Sequence, residues 1–167
     1  GMICRVNATG VVEVLVLGTL VIEYQDVDAK TQMKHLQVKM PGGCAIDIEE
    51  NWDPKQALVR ELQYELGESG KESEFEVSVG KEFFRRVIPC HLPGKSGHQQ
   101  IFYFADVKGC FRTEVKLEDE GDEILTPPMF SEVRRLMRVL FRSHREPLIK
   151  GLEELSNKAE VAHEYSD

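Results

Sequence analysis

Between His35 and Gly67 the hydrophobic pattern changes period, from alternation at Leu36, Val38 and Met40 to a stripe at Ala57, Leu58, Leu62 and Leu66, with Pro41-Gly42-Gly43 at the change. Alternation belongs to a half-buried strand, and the longer period to a helix with one buried flank. Proline and two glycines end the first and permit a tight turn. The helix carries its own punctuation. Asp53 is a good N-cap, Pro54 suits the first helical position, Gln56 stands where a capping-box partner belongs, and Gly67 supplies the stop. A strand over His35–Met40, a glycine turn and a helix from Asp53 are predicted in that order.

Upstream, Val11–Gln25 is dense in Val, Leu and Ile and predicts one long strand, or two joined near Gly18, buried on both faces. Asp26–Thr31 reads as a polar turn, so the first two blocks form a hairpin. Beyond the polar loop Gly67–Glu74, Phe75–Pro89 and Gln99–Val107 read as strands around a connection over Leu92–His98. Val115–Glu123 reads as a charged loop ahead of Pro127-Pro128. Phe130, Val133, Leu136, Met137, Leu140 and Phe141 recur at helical spacing, as do Leu148, Leu152 and Leu155 after Pro147. Two C-terminal helices over about 129–158 are expected, with Ala159–Asp167 polar and frayed.

No repeat, low-complexity tract or long linker divides the chain, so 2–167 reads as one domain, an α/β sandwich with strands in the middle and helices around them. A domain of 167 residues buries about two-thirds of its unfolded surface without staples. Cys4, Cys44, Cys90 and Cys110 are scattered, with no Cys-x-x-Cys pair and no His at finger spacing, which points to reduced thiols in a cytoplasmic protein rather than bridges or zinc. Gly1-Met2 reads as a leftover residue ahead of a native start, with no signal sequence after it. Val11–Ile22 is interrupted by Glu13, Gly18 and Thr19 and is too short to span a bilayer. Lys and Arg number 21 against 29 Asp and Glu, a formal charge of 21 minus 29, or −8. Such a surface repels nucleic acid, and an enzyme taking small anions here needs a local cation.

Residues four apart on a helix point the same way, so Glu61 and Glu65 present two carboxylates on one flank beside the leucine stripe. Mg²⁺ and Mn²⁺ favour oxygen ligands and bind through a few carboxylates together with waters and substrate phosphates. Arg60 can pair with one glutamate and fix its rotamer, while the Gly42-Gly43 turn lets backbone approach the same ion. On its own, an Arg-Glu-x-x-x-Glu helix is more often a solvated face.

The run resembles the Nudix box, G-x5-E-x7-R-E-U-x-E-E-x-G-U with U aliphatic. Gly43, Glu49, Arg60, Glu61, Leu62, Glu65 and Gly67 match it, over residues 42–68. Ten residues separate Glu49 from Arg60 where the pattern has seven, an insertion placed around Glu50–Trp52. Tyr64 replaces the first glutamate of the Glu-Glu pair, and Glu68 fills the final aliphatic position. The resemblance implies a Nudix-like α/β/α sandwich with a mixed central sheet. It implies Mg²⁺- or Mn²⁺-dependent hydrolysis of a nucleoside diphosphate linked to another moiety, with Gly43, Glu61 and Glu65 at the metal and Arg60, Glu61 and Glu65 catalytic. A base is expected in the box helix or in a later loop, where Glu118, Glu120 and Glu123 lie; Glu123, directly before Ile124-Leu125, is favoured. The alternative is a degenerate Nudix module that binds a nucleotide or a protein without turnover, as Tyr64 and the insertion suggest. A third is a structural interaction domain without a ligand at Glu61 and Glu65.

Arg85 and Arg86 lie on a predicted strand and face opposite ways, which offers one of them a substrate phosphate. Lys95 and His98 reach a phosphate if their connection folds over the site. Gly94-Lys95-Ser96 resembles the end of a P-loop, but Pro89 stands where that motif needs glycine. Trp52 either packs on the first helical turn or lines the pocket. Arg134, Arg138, Arg142 and Arg145 form a basic stripe, most simply solvated; it and the long N-terminal strand each offer a homodimer surface. Nothing outside the box encodes which nucleotide is the substrate.

Overall fold

A computed structural model describes residues 1–24, 32–43, 53–88, 98–117 and 123–165. Among these the chain is mixed α/β, with three α-helices and two antiparallel sheets. The strands are β1 (Cys4–Val6), β2 (Val12–Tyr24), β3 (Gln32–Lys39), β4 (Glu76–Ile88), β5 (His98–Lys108), β6 (Lys116–Leu117), β7 (Glu123–Leu125) and β8 (Met129–Glu132). The helices are α1 (Pro54–Leu66), α2 (Val133–Val139) and α3 (Arg142–Tyr165), with a 3₁₀ turn at Glu72–Glu74.

β2 is one continuous strand that changes partners near Gly18. Its first half pairs with β1 and β8, its second half with β3 and β7, and β6 adds to β7. β4 and β5 form the second sheet. Among the described residues every ladder is antiparallel, so the mixed sheet expected at the centre is replaced by antiparallel ones; parallel pairing is confined to two isolated bridges, Val38 with Leu140 and Met2 with Phe104. There Met2 N–H donates to Tyr103 O at 2.9 Å and Ala105 N–H to Met2 O at 3.0 Å, which joins the two sheets edge to edge.

Alternate residues of these strands enter two cores, as the period of two requires. Ile3, Leu15, Leu17, Tyr103, Ala105 and Leu125 pack with Leu58, Leu62 and Leu66 of α1. Met2, Val14, Val16, Met40 and Phe102 pack on the opposite face with Leu136 and Leu140 from α2 and its end, and Leu148 of α3. Helices therefore cover both faces. Leu62 and Leu66 are fully buried, each contributing about 1.5–3 kcal/mol of transfer free energy.

α1 begins as its sequence dictates: Asp53 accepts from the Lys55 N–H at 3.0 Å, with Pro54 in the first turn. It ends where expected, at Gly67, whose backbone is extended with φ −76° and ψ 157°. Glycine serves there for closeness, since a Cβ would lie 2.8 Å from Gln63 O and 3.1 Å from Phe75 Cβ.

Three other expectations are corrected. Residues 129–132 form β8 and not the start of a helix, because Met129–Glu132 complete the ladder beside β2. The break between the C-terminal helices falls at Leu140-Phe141 rather than at Pro147, and α3 runs through Pro147 to Tyr165. Pro147 has no N–H for the Ser143 carbonyl, and Arg86 Nη2 donates to that carbonyl instead. The charged segment before Pro127 contains β6 and the first residue of β7. Among the described residues no helix is long and apolar enough to cross a membrane.

Candidate metal site at the Pro-Gly-Gly turn

The turn after β3 and the second half of α1 bring Gly42, Gly43, Glu61 and Glu65 together. Glu65 is buried, at 2% exposure, on the flank of α1 beside Leu62 and Leu66. Its Oε1 accepts the Gly42 N–H at 3.1 Å. Its Oε2 is buried with no hydrogen-bond partner. Lys39 Nζ, from the end of β3, stands 3.9 Å from Oε2, beyond the usual N–H···O range of 2.7–3.2 Å. Burial pushes the Glu65 carboxyl up to about 7; Lys39 and the Gly42 N–H pull it down, and Glu61 adds to the rise.

Glu61 is more open. Arg60 Nη1 donates to its Oε1 at 2.8 Å, the rotamer-fixing pair read from the sequence. Gly43 faces the same carboxylate. What the turn offers Glu65 is the Gly42 N–H.

A hard divalent cation suits this donor set, because a buried carboxylate oxygen without a donor is costly unless a cation takes it. Glu61 and Glu65 would hold the ion. Among the described residues no third His, Cys, Asp or Glu joins them. Waters and substrate phosphates would complete the shell, as they commonly do for Mg²⁺.

Tyr64 is turned away from this cluster. Its ring packs against the α1-side core and lies under Lys116, whose Nζ is 3.6 Å from the ring centroid. The same ammonium donates to Tyr64 O at 3.0 Å and to Glu72 at 3.1 Å.

Of the expected phosphate contacts, Arg85 and Arg86 are engaged by other residues. Arg86 is held by Gln100 at 2.8 Å, by Glu146 and by the Ser143 carbonyl at the start of α3, which makes it a structural clamp. Arg85 is exposed and paired with Glu82. His98 and Glu123 lie on β5 and β7, with side chains outside the described residues, as are Glu49, Trp52, Lys95, Glu118 and Glu120 altogether. Of the basic stripe, Arg134, Arg138 and Arg142 are exposed, while Arg145 Nε donates to Leu140 O at 3.0 Å and caps α2.

Three residues of the site were not singled out from the sequence. Lys39 belongs to the polar side of the β3 alternation, which suggested solvent; its register partner Leu17 points into the α1-side core, so Lys39 faces α1 as well. Arg112 is buried and aimed at the end of α1, donating to Glu65 O at 2.8 and 3.1 Å and to Leu125 O and Thr126 O. A helix end needs partners for its last carbonyls, but nothing in the sequence marks which distant arginine provides them. His144 Nδ1 accepts the Met40 N–H at 3.1 Å, which fixes the strand end just before the turn.

No protein-family profile, curated protein or solved structure matches the chain.

Proposed function

We propose that this chain is a Nudix-like pyrophosphohydrolase, a Mg²⁺- or Mn²⁺-dependent enzyme that cleaves a nucleoside diphosphate linked to another moiety, on a Nudix-like α/β/α sandwich. The observation that carries the reading is Glu65: a buried carboxylate with one unsatisfied oxygen, one helical turn from Glu61, against the Pro-Gly-Gly turn. Glu61 and Glu65 would hold the ion. When bound, the ion neutralises phosphate charge and lowers the pKa of an attacking water. Arg60 orients the Glu61 carboxylate, the Gly42 N–H orients Glu65, and Gly43 keeps the space beside Glu61 open. Glu123, on β7, is the proposed base. The chain is read as a cytoplasmic single domain whose partner is a small nucleotide-type diphosphate.

A second reading, a nucleotide- or protein-binding module without turnover, draws support from Tyr64. Its ring lies under Lys116, and no carboxylate comes from that position.

Incubation with nucleoside triphosphates, dinucleotides and nucleotide sugars, with and without Mg²⁺ or Mn²⁺, distinguishes the two. Metal-dependent cleavage of a diphosphate bond supports the hydrolase. No cleavage, together with a metal-dependent rise in melting temperature on adding one nucleotide, supports the binding module.

A further inference from the structure

Lys39 is the last residue of β3, and its neighbours in register explain why it meets Glu65. Val38 joins the core under α2 and α3, so Lys39, one residue on, points to the opposite face, beside Leu17 and under α1. There the ammonium stands 3.9 Å from Oε2 of Glu65 with its side chain 25% exposed. That separation compensates charge without forming a hydrogen bond, so Oε2 keeps its lone pairs. The other groups around Glu65 are the Gly42 N–H on Oε1, the Glu61 carboxylate and the Arg112 guanidinium, which donates to the Glu65 carbonyl.

We propose that Lys39 is a built-in counter-ion of Glu65 that holds the buried carboxylate in the metal-free protein and must be displaced when a divalent cation binds. The inference rests on the metal site proposed above. Two cations beside one carboxylate repel strongly in a poorly solvated site, so the lysine sets how tightly metal is held. A flexible, partly exposed side chain suits this role: its ammonium can move to solvent, as a buried guanidinium locked by several carbonyls cannot.

The test is a Mn²⁺ titration followed by electron paramagnetic resonance, without substrate, on the wild type and the Lys39→Met, Lys39→Arg and Glu65→Gln variants. The expected result is that Lys39→Met binds Mn²⁺ about tenfold more tightly than wild type, that Lys39→Arg stays within about threefold, and that Glu65→Gln loses binding. A second measurement needs no substitution: reductive methylation of the wild type, read by mass spectrometry, is expected to label Lys39 faster when Mn²⁺ is bound. Equal Mn²⁺ affinity in wild type and Lys39→Met, or Lys39 labelling indifferent to Mn²⁺, would overturn the role of Lys39 while leaving the metal site standing. Mn²⁺ binding left intact by Glu65→Gln would overturn the site itself and this proposal with it.

Discussion

Gly43 lies so close to the carboxylate of Glu61 that a Cβ on it would fall 2.2 Å from Glu61 Cδ and 2.6 Å from Oε1. The turn has no left-handed φ that demands glycine; it demands the absence of a side chain. Gly43→Ala is therefore expected to push Glu61 out of place. Metal-dependent turnover should fall about 10²-fold, the usual scale for a misplaced catalytic group. The glycine is exposed, so melting temperature should change little. Steady-state kinetics beside a thermal melt check both.

In the metal-free protein, Glu65 links stability to pH. Its folded pKa, about 7, lies above the ordinary 4.5, with burial as the main cause. The folded state thus holds the proton more tightly. This contribution is full below about 4.5 and is lost as pH rises through about 7. Glu65→Gln removes it. The melting temperature of the variant relative to wild type is expected to rise from pH 5 to pH 8, with chelator present throughout.

His144 acts in the opposite sense. Burial first, with the positive charges of Lys39 and Arg86 adding to it, pushes its pKa from 6.5 down to about 3. Its stabilisation is present above pH 6.5 and is lost as pH falls toward 3. Urea midpoints between pH 7.5 and 4 should fall more steeply for Glu65→Gln, where the Glu65 contribution no longer opposes the loss. His144→Gln is expected to flatten that slope.

Arg112 ties the last turn of α1, which carries Glu65, to Leu125 and Thr126 around β7. Arg112→Met would leave several buried carbonyls without donors. A loss of about 3 kcal/mol in urea unfolding is expected. Arg112→Lys, with fewer donors and no fork, should recover only part of it.

The local parts of this structure were legible in the sequence because short-range rules decide them. The Asp53-Pro54 start of α1, its leucine stripe and the Arg60–Glu61 pair depend on residues within one or two turns. β2 and the β4–β5 hairpin follow from runs of β-branched and aromatic residues. The misplaced features depend on contacts far along the chain. Pro147 looked like a helix boundary because its consequence is local, whereas Arg86, which takes the Ser143 carbonyl, lies on β4. Met129–Glu132 carried helical spacing, but pairing with β2 took precedence. Lys39 looked solvent-facing because alternation gives the two faces of a strand without saying what packs on each. At the candidate site the glutamates were visible, and the groups that set their charge were not.

The most direct test of the central claim is the rate of Mg²⁺-dependent diphosphate cleavage by Glu65→Gln against wild type, on whichever nucleotide the substrate panel identifies. The account predicts a loss of at least about 10²-fold, with a melting temperature at pH 8 no lower than that of wild type, because a buried charge has been removed. A Glu65→Gln enzyme that cleaves within a few-fold of the wild-type rate would contradict it.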